Sequence, residues 1–142
     1  MIYLIGSLRN PEIPNIANTL RTYGFDIFDS WYAAGPIADD CWRDYEKGKG
    51  LSYLEALKHY AAQHVFCFDK KYLDQSTGAI LVTPAGKSGH LELGYIIGQG
   101  KPGYILMHEE PERFDVMYNF ATAVFYNIEN LIIEMKGLKL VK

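Results

Sequence analysis

Cysteine is scarce in this chain: Cys41 and Cys67 are the only two in 142 residues. Two such thiols build neither a disulfide framework nor a metal-ligand spacing, and they fit a reducing cytoplasm. Basic residues are also in short supply, with 14 Lys and Arg against 17 Asp and Glu and a formal net charge of −3. Proteins that coat a nucleic acid polymer usually carry a basic face, so no such partner is expected. A small anionic ligand held by a few local donors stays possible. The opening MIYLIGS is too short for a signal peptide or a membrane span, and no membrane partner is expected. No internal repeat or low-complexity stretch is present.

What is there suits a globular domain. Hydrophobic residues make up 49% of the chain, enough for a buried core in a single domain over residues 1–142. Ile2-Tyr3-Leu4-Ile5 reads as a buried strand that stops at Gly6. Asn10 can cap a helix opening with Pro11, carrying Ile13, Ile16, Ala17 and Leu20 inward to a stop at Gly24. Phe25 to Phe28 reads as a second strand, and Asp29 to Gly50 as a long loop or lid without a clear period. Ser52-Tyr53-Leu54-Glu55 has the capping-box pattern, starting a helix with Leu54, Leu57, Ala61 and Val65 inward. Val65 to Phe68 reads as that helix's end, with a short turn or helix from Asp69. A strand over Ala79 to Thr83 follows. A helix whose first turn holds Glu92 and which ends near Gly100 comes next, then a strand over Tyr104 to Met107. Spacing from Phe114 to Met135 predicts one long closing helix.

Alternating strands and helices predict a three-layer α/β/α fold with a small parallel sheet, flavodoxin-like or Rossmann-like in architecture. Ligands in such sheets bind beyond the carboxyl ends of the strands. Gly6-Ser7, Asp29 and the stretch from Pro84 to Gly89 fall there.

Several residues at those ends are chemically suggestive. Gly6, Ser7 and Arg9 join a turn, a hydroxyl and a guanidinium beside a helix start, a set that can cradle an anionic oxygen. The same set also reads as a turn serine and a solvated arginine. Gly86-Lys87-Ser88-Gly89 follows a later strand in the equivalent place, with Ser88 either a ligand or a helix cap; the full Walker spacing is absent. Glu92 has two readings, a stabilising acid at a helix start or a reactive carboxylate. Asp69 is either an N-cap or the second member of a carboxyl pair for glycosidic chemistry. Trp31 and Trp42 offer flat faces for stacking a base, or core packing. His90 reads as a helix-surface histidine, and Asp39, Asp40 and Asp44 as solvated.

Three segments, YLIGSLRN, FDKKYL and SGHLELGYIIGQGKP, together resemble the nucleoside 2-deoxyribosyltransferase superfamily, which includes the deoxyribonucleoside 5′-monophosphate N-glycosidases. The resemblance runs from Tyr3 to about Tyr104. It implies that Glu92 is the nucleophile that captures C1′ of deoxyribose, that Asp69 is the acid/base, and that Tyr3 positions the nucleophile. It also implies that Gly6, Ser7 and Arg9 hold a 5′-phosphate, with Ser88 and Gly89 beside them. Tyr118 or Asn119 would complete the pocket of a neighbouring subunit in a homodimer or larger homo-oligomer. The chain departs from the family in one place. Transferases acting on free nucleosides carry an aspartate about six residues before the nucleophile, where this chain has Gly86. That favours a phosphorylated substrate. The expected activity is cleavage or transfer at the N-glycosidic bond of a 2′-deoxynucleotide, with no metal and no organic cofactor. A free-nucleoside transferase and a non-catalytic nucleotide-binding or sensor domain are the alternatives.

Overall fold

The computed structural model describes residues 1–138, so positions 139–142 of the expected domain lie outside the described residues. Five strands form one sheet: β1 (Ile2–Ile5), β2 (Ile27–Phe28), β3 (Gly78–Val82), β4 (Gly103–Leu106) and β5 (Ala123–Phe125). All pair in parallel, in the order β2-β1-β3-β4-β5. The helices are α1 (Ile13–Thr22), α2 (Ala38–Gly48), α3 (Tyr53–Leu57), α4 (Tyr60–Gln75), α5 (Lys87–Gly98) and α6 (Ile128–Gly137). Single 3-10 turns lie at Ser30–Ala34 and Val116–Phe120.

Successive side chains on a strand point to opposite faces, and both faces here are covered, so the central strands are apolar throughout. Ile2, Leu4, Ile80, Val82, Tyr104 and Leu106 face α1 and α6, where they meet Leu20 and Leu131. Tyr3, Ile5, Ala79, Leu81 and Ile105 face the other way, against Leu73 of α4 and Leu93 and Ile96 of α5. The result is the expected three-layer α/β/α fold. Its strand order puts the topological switch between β1 and β3, where open sheets of this kind present a crevice. Among the described residues no helix is long and apolar enough to cross a membrane.

Several elements differ from the sequence reading. The closing helix expected over Phe114–Met135 is three elements, the 3-10 turn, β5 and α6. Ala123, Val124 and Phe125 pair with Tyr104, Ile105 and Leu106 of β4. Asn127 then starts α6 afresh, its side chain accepting from the Asn130 N–H at 2.9 Å. Tertiary pairing thus overrides a helical spacing that would set Met117 and Val124 on one inward side, and both are exposed. The stretch from Asp29 to Gly50 is not a loop, since it holds the first 3-10 turn and α2. Only Glu46 of α2 is buried, so no apolar stripe marks the helix in the sequence. The capping box at Ser52 forms as expected, but the helix breaks at Lys58 and His59, and α4 runs straight through Val65 and Asp69. Leu54, Leu57 and Val65, expected inward, are exposed. Of the second strand only Ile27 and Phe28 pair with β1. Finally, α5 begins at Lys87 and has no acidic residue in its first turn. Glu92 sits in the second turn, and the helix-start explanation of that residue fails.

Two glycines let α5 lie directly on the sheet. A Cβ on Gly89 would meet Ile5 Cγ2 at 3.0 Å and Leu81 Cδ1 at 3.1 Å. One on Gly103 would meet Ile97 Cγ1 at 2.7 Å and Leu93 Cδ1 at 2.9 Å, closer than packed carbons allow. Gly103→Ala should therefore push α5 off β4 and destabilise the fold by about 1–3 kcal/mol, the usual cost of overpacking. Chemical denaturation checks this; an unchanged midpoint would mean that α5 is not seated tightly on the sheet.

Candidate active site

Tyr3, from the middle of β1, is 1% exposed and points to the face covered by α4 and α5. Its ring meets Phe28 at 5.0 Å between centroids; Phe28 stacks on Tyr72 at 4.3 Å, and Phe68 closes the group at 4.9 Å from Tyr72. Strand register explains the first contact, because Tyr3 and Phe28 are direct parallel partners. Helix spacing explains the last, since Phe68 and Tyr72 are four residues apart on α4. Asp69 sits in this run of α4, half-buried, and Glu92 is half-buried on α5. Residues from three separate segments thus converge on one apolar wall.

Their electrostatics are coupled. Glu92 is pushed up to about 7, first by burial and further by the negative charge of Asp69, while the Tyr3 hydroxyl pulls the other way. Burial also raises Asp69 above the usual carboxylate range. Tyr3 is held far above the ordinary phenol value by burial, then by the charges of Glu92 and Asp69. The Tyr3 hydroxyl finds no partner at full hydrogen-bond geometry, yet it lies near enough to favour ionised Glu92. The two are neighbours short of a formed bond. Two carboxyls that feel each other's charge, one of them titrating near neutrality, can divide nucleophile and proton carrier between them.

The expected phosphate residues occupy the neighbouring strand end. Ser7 Oγ accepts from the Arg9 N–H at 3.1 Å, closing the turn after β1. The Arg9 guanidinium is largely exposed and rests on Asp40 of α2 at 3.3 Å. Asp40 is therefore an ion-pair partner, whereas the sequence suggested a solvated acid. Gly86 is the N-cap of α5, and Ser88 is exposed in its first turn without capping it. Gly89 is buried and turned to the sheet, so its part is close packing.

Both tryptophans are engaged in packing. Trp31 donates its indole N–H to the Leu4 carbonyl at 2.7 Å and packs against both halves of the core. Trp42 lies edge-on to Tyr53 at 6.5 Å, lining a cavity of about 70 Å³ between α2 and α3 together with Glu46 and Ala56. The buried Glu46 carboxylate there faces Lys49 at 3.0 Å and His59 at 3.6 Å.

Tyr118 and Asn119, expected to serve a neighbouring subunit, are hydrogen-bonded within their own chain. Asn119 donates to the Val116 carbonyl at 2.8 Å. Tyr118 meets His90 Nε2 at 2.9 Å, and His90 Nδ1 meets the Gly86 carbonyl at 2.8 Å. A carbonyl only accepts, so Nδ1 carries the hydrogen that bonds Gly86. His90 is more than a surface residue: it ties the start of α5 to the Val116–Phe120 turn. Beside it a cavity of about 640 Å³ opens past β4 and β5, lined by Ala85, Met107, Phe114 and Tyr126 among others. That volume is within the range of small-molecule pockets.

Sequence reasoning missed the aromatic wall of Phe28, Phe68 and Tyr72. The signal was present in the aromatic pair four residues apart around Asp69. Among the described residues no group of three or more His, Cys, Asp and Glu is placed to hold a metal ion. No known family model matches the chain, and a search of curated proteins finds no match.

One consequence needs no substrate. Glu92 has a folded value near 7 against an ordinary 4.5, so the native state holds a proton there that the unfolded chain has released. Stability from this group is present below about 4.5 and is lost as pH rises through about 7. Glu92→Gln keeps the shape and removes that loss, so at pH 8 the variant should be more stable than wild type by up to about 3 kcal/mol. At pH 4 the two should nearly coincide. Thermal melts at both values test this, and a variant less stable at pH 8 would refute the buried-acid assignment.

Proposed function

We propose that the chain cleaves the N-glycosidic bond of a 2′-deoxynucleoside 5′-monophosphate, through a covalent deoxyribosyl intermediate on Glu92. The observation that carries the reading is the convergence of Tyr3, Asp69 and Glu92, three residues from remote segments, in one electrostatically coupled cluster. These are the three that the resemblance to the nucleoside 2-deoxyribosyltransferases singles out.

In the first step a Glu92 carboxylate oxygen bonds to C1′ as the C1′–N bond breaks. The bond's electron pair leaves on the base nitrogen, and the proton from Asp69 neutralises it. In the second step Asp69 takes a proton from water, whose oxygen attacks C1′ and displaces Glu92. The products are the free base and deoxyribose 5-phosphate, with retention at C1′. A second base in place of water would give transfer. Splitting one hard displacement into two easier ones is the gain from covalent catalysis, and the sugar-cation character of each step is that of glycoside hydrolysis. No organic cofactor or metal takes part.

The 5′-phosphate is assigned to Ser7, Arg9 and Ser88. Arg9 must leave Asp40 to reach it, and an exposed ion pair is worth at most about 1 kcal/mol. A charge-assisted bond to phosphate contributes about 1.5–3 kcal/mol, so the exchange is favourable. We also assign a homo-oligomer, because Tyr60, Val65 and Phe66 of α4 and Leu91 of α5 are exposed apolar residues that a second copy would cover.

Burial of Glu92, which pushes it up to about 7, favours a second reading, in which Glu92 carries the proton and Asp69 attacks. Peptide mass spectrometry separates the roles. Either assignment reacts through the singly protonated pair, so kcat/KM should fall as pH rises through about 7 and the shared proton is lost. A slow 2-fluoro-deoxyribosyl substrate should leave its sugar on Glu92, as read by peptide mass spectrometry; label on Asp69 would exchange the roles. Glu92→Gln should lower turnover by roughly three orders of magnitude or more while the fold persists.

The phosphate assignment has its own test. Arg9→Ala should cut kcat/KM for deoxynucleoside monophosphates roughly tenfold to a hundredfold, and leave deoxynucleosides nearly unaffected. Release of base is followed by chromatography. Equal losses on both substrates would assign Arg9 to folding.

A further inference from the structure

The faces that α4 and α5 present to each other carry a second cluster below the acids. Asp74, five residues beyond Asp69 on α4, accepts the Tyr95 hydroxyl on Oδ1 at 2.5 Å and the Gln99 amide on the same oxygen at 3.1 Å. Its other oxygen takes Lys70 Nζ at 2.8 Å. Lys101, just past α5, donates to the Leu73 and Asp74 carbonyls at 3.3 and 3.0 Å, satisfying the open end of α4. The ammonium of Lys70 also lies 5.7 Å from the Tyr95 ring centroid. With these three donors, the Asp74 carboxyl is held well below the usual carboxylate range, by Lys70 first, then Tyr95 and Gln99.

On α5, Glu92, Tyr95 and Gln99 follow at spacings of three and four, which sets them in one stripe toward α4. Glu92 and Tyr95 are separated by about 4.5 Å of helix rise, and Asp69 and Asp74 by about 7.5 Å. The reacting carboxyls thus sit at one level of the helix pair and the Asp74 cluster at the next. Between the helices, Leu73 and Ile96 supply apolar contact, but such contact is non-directional and leaves sliding and rotation poorly fixed. A short carboxylate on α4 receiving two donors from across the seam, Tyr95 and Gln99, fixes both.

We propose that Asp74, through Tyr95 and Gln99, is a positioning residue that clamps α4 to α5 and so sets the approach of Asp69 to Glu92. The proposal rests on the glycosidic reading for its catalytic meaning, while the clamp itself is a property of the fold. It assigns a task to the tyrosine of the Glu-x-Gly-Tyr segment that the reaction scheme leaves idle. Loosening the clamp withdraws the Asp69 charge from Glu92 and admits water to both acids. The two changes act on Glu92 in the same sense, toward the ordinary glutamate value. Tyr3 of β1 is the third titratable group at Glu92 and is unaffected, because the sheet holds it.

The test is the titration of Glu92 in the intact protein, read from its side-chain carboxyl carbon by NMR, in Tyr95→Phe, Asp74→Ala and Asp74→Asn. Tyr95→Phe removes one hydroxyl from an exposed cluster and tests the clamp even where Asp74→Ala fails to fold. In Tyr95→Phe and Asp74→Ala the midpoint should fall by about one pH unit. Asp74→Asn keeps an oxygen for Tyr95 and Gln99 and should stay close to wild type. With a deoxynucleoside monophosphate, the first two should lose roughly tenfold or more in kcat with KM nearly constant. A folded Tyr95→Phe variant with the wild-type Glu92 midpoint overturns the clamp. A wild type that releases no base overturns the glycosidic reading instead, and the titration still decides the clamp.

Discussion

Burying two carboxyl groups against aromatic rings is costly, because a charge in low dielectric loses most of its hydration. Asp69 and Glu92 incur that cost where helices α4 and α5 adjoin, with Glu92 beside the Tyr3 hydroxyl and within reach of the Asp69 charge. Both acids respond in the same direction, with raised pKa values caused first by burial. Everything else at the site depends on keeping those two helices side by side on one face of the sheet. Strand order achieves the coarse placement, since β1 lies between β2 and β3 and carries Tyr3 beneath the pair. Gly89 and Gly103 achieve the fine placement by letting α5 touch the strands where any Cβ would crowd Ile5, Leu81, Leu93 or Ile97.

The fold class was legible because both faces of the sheet are covered. Ile2–Ile5, stopping at Gly6, and Ala79–Val82, starting after Gly78, are short apolar blocks, and such blocks alternating with helical spacing leave few alternatives to a parallel sheet. What hid the rest was an absence of local signal. The α2 segment buries only Glu46, so periodicity had nothing to register. The stretch Ala123–Phe125 is three residues long, and its identity as a strand comes from the free edge of β4, which no local window contains. Tyr3, Asp69 and Glu92 were legible as individual residues, through the segments that resemble a known superfamily. Their pairing was anticipated from the same resemblance, whereas their shifted titration was not, because burial depends on which face of α4 and α5 turns toward β1. The position of Glu92 was misjudged by one turn, and that error mattered: the bland explanation of the acid required the first turn, and α5 starts at Lys87.

Between β2 and α4 the chain forms an outer segment held to the core by Trp31 and supplemented by ionic contacts. Arg9 meets Asp40 near the start of α2, and Glu46 meets Lys49 and His59 near its end. These two attachments differ in strength for a physical reason. The Arg9 pair is exposed at both partners and is screened by solvent. The Glu46 carboxylate is 2% exposed, so removing Lys49 would leave a buried charge without its cation. An anion arriving at the turn after β1 therefore competes for Arg9 at little cost, while the far end of α2 stays fixed. Phosphate recognition in the proposed reaction thus draws on the weaker of the two anchors.

The same contrast between buried and exposed charge bears on which acid attacks. Asp69 and Glu92 repel each other when both are ionised, so near neutrality the pair tends to keep one proton between its two carboxyls. In the free protein burial favours leaving that proton on Glu92. Two features near the reaction centre act against that preference. The Tyr3 hydroxyl selectively stabilises ionised Glu92, and it has no competing partner. Positive charge growing on the sugar carbon attracts whichever carboxylate lies closest. If C1′ sits nearer to Glu92, as the proposed reaction requires, the proton moves to Asp69 as the bond to the base weakens, and it is then positioned to leave with that base. The neutral-range pKa of Glu92 is on this account no obstacle to a nucleophile. It is the consequence of burying two acids with one hydroxyl, and in the proposed reaction the tyrosine decides which acid is left charged when the sugar arrives.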